Sequence, residues 1–130
     1  MIRQYHRLCY MYHFIRVKRI GSKHGIHIPL NCCGYGLRIM HLSGGGGVHI
    51  NALRVGNYCG FNSGVLLGNK DSQENRPTLG DNVAFGPGAK AFGKISIDNN
   101  VFVAPNAVVT KDVPENCIVG GVPAKILKMK

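Results

Sequence analysis

Residues 79–109, LGDNVAFGPGAKAFGKISIDNNVFVAPNAVV, decide the fold. Counting in sixes from Leu79 gives Phe85, Ala91, Ile97, Val103 and Val109, all apolar. Counting backward gives Gln73, then Leu67, Phe61 and Val55, so one polar residue interrupts the column. A second column stands four places on: Cys59, Val65, Val83, Ala89, Ile95, Val101, Ala107 and Val113, interrupted by Asp71 and Pro77. A period of six is a solenoid period, in which each hexapeptide is a short strand plus a turn. Three such units close one triangular coil. The column residues point inward and meet their equivalents in the coils on either side. One coil cannot bury its own interior, so stability accrues by stacking. The pattern therefore predicts an all-β fold, a parallel β-helix. Its corners need backbone with positive φ, which Gly and Asn tolerate best. Asn57, Asn69, Asn82, Asn100 and Asn106 are spaced to supply it.

Two stretches break the count. NKDSQENRPT (69–78) is polar and predicts a loop that leaves the coil. LSGGGG (42–47) lies between Ile39 and Val55, whose separation is not a multiple of six, and predicts a bulge. Interruptions are where a solenoid usually carries function. Residues 2–23 read differently, with aromatic and basic side chains and no Pro. Leu8, Met11, Tyr12, Ile15 and Ile20 approximate a helical stripe. They predict a short amphipathic helix that ends near Gly21 and packs on the end of the solenoid. The expected division is a helical cap at 1–24 and a repeat domain at 25–130. A basic amphipathic helix also suits a membrane surface.

The chain has 130 residues, enough for one domain with a real core. Its 18 glycines approach twice the usual share of about 7%, as a turn-rich fold requires. Lys and Arg number 16 against 6 Asp and Glu, a balance that attracts anions. No zinc finger or aromatic-basic RNP motif accompanies it, so no nucleic-acid partner is expected. An anionic cofactor is the better match. The 5 cysteines are odd in number and form no CxxC pair, which argues against zinc and against a disulfide framework. Buried free thiols are the expectation. Residues 8–15 are apolar but too few to span a bilayer, and no cleavage site follows. The expected location is the cytoplasm.

GNKDSQENRPTLGDNV, GPGAK, NAVVTKDVP and GVPAKI together resemble the serine acetyltransferase branch of the hexapeptide-repeat acyltransferases. The resemblance covers about residues 25–128. It implies a left-handed β-helix, a hand that the period alone does not give. It implies transfer of an acetyl group from acetyl-CoA to a hydroxyl of a small acceptor. It also implies homotrimers with active sites between neighbouring subunits. The family's catalytic histidine follows G-x-G-[LI]-x-[ILM]-x-H, which here reads GYGLRIMH and assigns His41 as general base. An imidazole suits that work because it titrates near neutral pH. Gly44 to Gly47 would let backbone approach the substrate. By the same resemblance Gly86, Gly88 and Lys90 would lie along the pantetheine arm, with Ala104 and Lys111 one and two coils further. Gly121, Pro123 and Lys125 would meet the adenosine end. Lys111 and Lys125 offer point charges for phosphates.

Three positions depart from the serine-specific members. Ile26 stands fifteen residues before the histidine, where those members have an acid. Met40 replaces an Asp. Asn75 and Arg76 precede Pro77 in place of an Arg-His pair. The acceptor is therefore left open between a serine-like hydroxyl and a sugar hydroxyl. Arg76 would polarise the thioester oxygen as charge develops on it. No metal is expected. Two other readings remain: a noncatalytic β-helix scaffold, and a zinc-dependent carbonic anhydrase-like protein that needs His27, His41 and His49 to converge between subunits.

Overall fold

The computed structural model describes residues 2–41 and 46–130. Helix α1 (Ile2–His24) leads into a parallel β-helix with three faces. The first face stacks β1 (Ile26–His27), β3 (Val48–Ile50), β6 (Leu66–Gly68), β9 (Lys90–Phe92) and β12 (Val108–Val109). The second stacks β4 (Arg54–Val55), β7 (Thr78–Leu79) and β10 (Ser96–Ile97). Parallel bridges extend it, from Cys33 to Val55 and from Ile97 to Val113. The third stacks β2 (Arg38–Met40), β5 (Gly60–Asn62), β8 (Ala84–Phe85), β11 (Phe102–Val103) and β13 (Cys117–Gly120). β14 (Lys125–Met129) turns back antiparallel on β13 and covers its edge.

The period-six columns are the core. Val55, Phe61, Leu67, Leu79, Phe85, Ala91, Ile97, Val103 and Val109 are all buried, and so are the apolar members of the second column. Gln73 and Asp71 are exposed because they belong to the extra loop, which leaves after Gly68 and rejoins at buried Pro77. Hydrogen bonds close this loop on itself, from Lys70 N to Asn75 O at 3.0 Å and from Asn75 N to Ser72 O at 3.1 Å. Residues 42–45 of the expected bulge lie outside the described residues. Their flanks pair Ile26 with Val48, four residues more than the eighteen that separate paired Lys90 and Val108.

Three of the five expected corner asparagines adopt positive φ: Asn82, Asn100 and Asn106. Asn57 and Asn69 do not. Tyr58 takes the left-handed position at φ 56°, and Asn57 instead uses its side chain, whose Oδ1 accepts from Tyr35 N. Asn69 Oδ1 accepts from Asn51 Nδ2 at 3.1 Å.

The helix departs further from expectation. It runs through Gly21 to His24, and Gly25 ends it at φ 66°, the usual left-handed stop. Gly21 lies against the Ile26 carbonyl, where a side chain would collide. Of the stripe, Leu8, Met11, Tyr12 and Ile15 are 49–63% exposed, and Ile20 alone borders the solenoid. Contact is confined to the last turns, where Val17, Lys18, Ile20 and Gly21 face Ile26, His27 and Ile28. No helix among the described residues is long and apolar enough to cross a membrane.

Candidate functional site

The three corners divide the expected site residues. On the corner between the third and first faces, the register pairs Met40 with Asn62, Phe61 with Phe85, Phe85 with Val103, and Val103 with Val119. The next positions, Gly86, Ala104 and Gly120, therefore align beyond Asn62. His41 follows Met40 at one end of this row, and Gly121 follows Gly120 at the other. Four inter-strand steps of about 4.8 Å make the corner about 19 Å long. His41 is exposed, with φ 57°, an uncommon setting for a residue with a side chain.

Gly86 and Gly88 face the next coil rather than open solvent. A Cβ on Gly86 would lie 2.7 Å from Pro105 N. Gly88 has φ 71°, and a Cβ there would strike the Asn106 side chain. Coil stacking alone thus accounts for both glycines. Lys90 Nζ donates to Gly88 O at 2.9 Å, so its ammonium sits on this same corner. Val108 N donates to Gly121 O at 3.0 Å and Ala124 N to Val108 O at 2.8 Å, which folds the GVPAK segment over the end of the first face. Gly121, Pro123 and Lys125 are exposed there.

Arg76 and Lys111 lie elsewhere. Arg76 is in the loop between β6 and β7, and Lys111 follows β12, so both belong to the corner between the first and second faces. Lys111 is therefore not two coils beyond Gly88 on the His41 corner, as the sequence reading had it. It follows Ala104 by seven residues and sits around the coil from it. Within one chain, Arg76 and His41 occupy different corners.

The remaining histidines pair with each other. His27 stacks on His49 with ring centroids 4.7 Å apart and planes 10° from parallel. Among the described residues of one chain, no three His, Cys, Asp or Glu side chains gather to hold a metal. Burial lowers the His27 pKa, with the Lys18 charge and His49 adding to the effect. The sign follows directly: the unfolded chain protonates His27 first as pH falls below the ordinary value of 6.5. The contribution is complete above pH 6.5 and is lost as pH falls through the lower folded value. Melting temperatures at pH 7.5 and 5.5 should show a smaller acid loss in His27→Gln than in wild type. Equal losses would sink the assignment.

The cysteines also correct expectation. Cys59 and Cys117 are buried, but Cys9 is exposed and Cys32 and Cys33 are only partly buried. The two adjacent sulfurs lie 3.4 Å apart. Their positions in the sequence give no hint of this, since side-chain alternation normally parts neighbours on a strand.

Fold and corner together define a parallel β-helix of the hexapeptide-repeat class, left-handed in its winding. Within that class, the chain is similar to serine acetyltransferases. The serine acetyltransferase of Synechococcus elongatus is 44% identical over 75 residues, 56% of this chain and 31% of that protein. The crystal structure of Neisseria gonorrhoeae serine acetyltransferase in complex with serine superposes with a TM-score of 0.72 at 30% identity, covering 97% of this chain and 52% of that one. The Brucella abortus enzyme in complex with coenzyme A gives a TM-score of 0.64 at 30% identity, covering 82% and 40%. The chain thus spans about a third to a half of the proteins it matches. No family model matches it.

Proposed function

We infer that this chain is an acetyl-CoA-dependent O-acetyltransferase acting on a hydroxyl of a small acceptor. One observation carries the reading: His41 and the GVPAK segment end the same corner, about 19 Å apart along four stacked strands. That length suits an elongated donor with its thioester at His41 and its phosphates near Lys125. Gly121 fits such a ligand, since a Cβ there would meet only Pro123 O, at 3.4 Å, and the surface beside it is open. The similarity to serine acetyltransferases, including complexes with serine and with coenzyme A, supports both substrates.

The roles follow from the chemistry. His41 takes the hydroxyl proton as that oxygen bonds to the thioester carbon. It returns the proton to the CoA sulfur as the carbon–sulfur bond breaks. Arg76 sits on a different corner, so it serves this site only from a neighbouring copy. A homotrimer that brings the loop corner of one chain against the His41 corner of the next gives Arg76 and Lys111 their places, near the oxyanion and the phosphates. Gly86, Gly88, Lys90 and Ala104 form the floor between them.

Serine is the first acceptor to try. Ile26, Met40 and Asn75 stand where the resemblance places charged or imidazole groups, which favours including sugars beside it. The test is acetyl-CoA consumption with serine and a panel of sugars, alongside light scattering. Acceptor-dependent turnover and a mass near three times 14.1 kDa are expected. Absence of turnover with every acceptor would leave the scaffold reading, and a monomer would remove Arg76 and Lys111 from the site.

A further inference from the structure

The pair Cys32–Cys33 has no role in the acetyl-transfer reading, although it stands on the same corner as Arg76, and its surroundings are unusual. Its backbone is fixed to β4: Val55 N donates to Cys32 O and Gly34 N donates to Val55 O, both at 2.8 Å. Cys33 bridges buried Val55 and packs on the core, while Cys32 shares the outward column of exposed Arg54. Both cysteines line an open cleft, together with Asn31, Leu53, Arg54 and Asn57. Cys32 Sγ lies 3.3 Å from the Pro29 carbonyl and 3.4 Å from Cys33 Sγ. The Arg76 charge, from the long loop, favours the Cys32 thiolate, and its Nε is buried without a hydrogen-bond partner among the described residues.

We propose that Cys32 is a modification site that forms a lasting mixed disulfide with small anionic disulfides, while Cys33 stays reduced. The Cys32 thiolate attacks one sulfur of the disulfide. A new S–S bond forms at Cys32 Sγ, the old one breaks, and the departing thiolate takes a proton from water. The incoming disulfide is the oxidant, so the step balances with nothing else supplied.

Three features set this outcome. First, the hydrogen bond between the two sulfurs, 3.4 Å apart, holds the Cys32 thiol down at about 7, with the Arg76 charge adding to it. Reactive cysteines have such partly exposed, cationic surroundings. Cys33 itself is pushed up, by its neighbour and by burial, and Cys59 behind it is raised by burial and by Asp81. Second, Cys33 is poorly placed to resolve the adduct. Adjacent Cα atoms are 3.80 Å apart across a trans peptide. Unstrained disulfides need about 4.4–6.8 Å. Third, Arg54 lines the cleft and the Arg76 charge acts on Cys32, so an adduct bearing carboxylates meets a cationic setting there.

The test uses the full chain with Cys9→Ser, which removes the exposed competitor. Oxidised glutathione and the cationic disulfide cystamine are the probes, read by intact and peptide mass spectrometry across pH. One glutathione adduct per chain at Cys32 is expected, with a rate midpoint near pH 7. Glutathione disulfide should react several-fold faster than cystamine at low salt, and the ratio should fall toward one at about 1 M salt. Modification at another cysteine would overturn the proposal, as would a midpoint in the ordinary thiol range near 8.5. A loss of two hydrogens without an adduct would overturn it too, because that is closure of the Cys32–Cys33 pair.

Discussion

His41→Asn should lower kcat/KM for acetyl transfer by about 10²–10⁴-fold, the usual contribution of a positioned general base. It should leave the melting temperature nearly unchanged. The choice of asparagine matters. His41 holds φ 57°, a left-handed setting that costs any residue with a Cβ and that asparagine meets more readily than alanine. Asparagine tolerates the left-handed region and has no basic nitrogen, so it removes the proton acceptor and keeps the backbone. His41→Ala should therefore lose the same activity and some stability as well. The comparison separates catalysis from folding. If His41→Asn keeps more than about a hundredth of wild-type kcat/KM, the imidazole is not the base, because a loss below 10²-fold falls outside that range. If both variants lose stability equally, the effect of His41 is structural.

The core was legible because its signal is local and periodic. From Val55 to Val109, a count of six placed nine apolar side chains inside with no knowledge of the coils. The corners were legible only in part. Positive φ at Asn82 and Asn100 follows from residue type, but Tyr58 occupies the equivalent position in the coil before, where stacking overrides propensity. Which corner a residue occupies requires counting whole coils. Four extra residues after His41 and six extra in the 69–77 loop shift that count. Lys111 departs for a simpler reason: seven residues from Ala104 are about one hexapeptide, a third of a coil, which carries it to the next corner and not to the next coil. The helix failed differently: its apolar spacing is real, but a stripe does not say what covers it, and within this chain only its last turns touch the solenoid. His27 and His49 illustrate the general point, since their stacking depends on the Ile26–Val48 register across the glycine run.

Phe85→Ala should cost about 3–5 kcal/mol of stability, near the upper end for a large-to-small change. Phe85 is fully buried and stacks on Phe61 in the coil before it, with centroids 5.5 Å apart and planes 24° from parallel. The following coil offers only Val103 at the paired position. Cavities are least costly where neighbours can move in, and here they are pinned. Ala84 N donates to Val101 O at 2.9 Å and Gly86 N to Val103 O at 2.8 Å, so the residues on either side of Phe85 are tied to the next coil. Closing the hole would break that ladder. A loss of this size is a large share of the roughly 5–15 kcal/mol that holds a domain together. Denaturant unfolding at one fixed protein concentration measures it, since a trimer would make stability depend on concentration. Phe85→Leu should cost less, because it keeps most of the volume and loses chiefly the ring contact with Phe61. A loss under 1 kcal/mol for Phe85→Ala would mean that the coils relax toward one another. The rigid spacing on which the 19 Å corner depends would then be wrong as well, and the claim that His41 and the GVPAK segment are held at fixed ends of one site would fall with it.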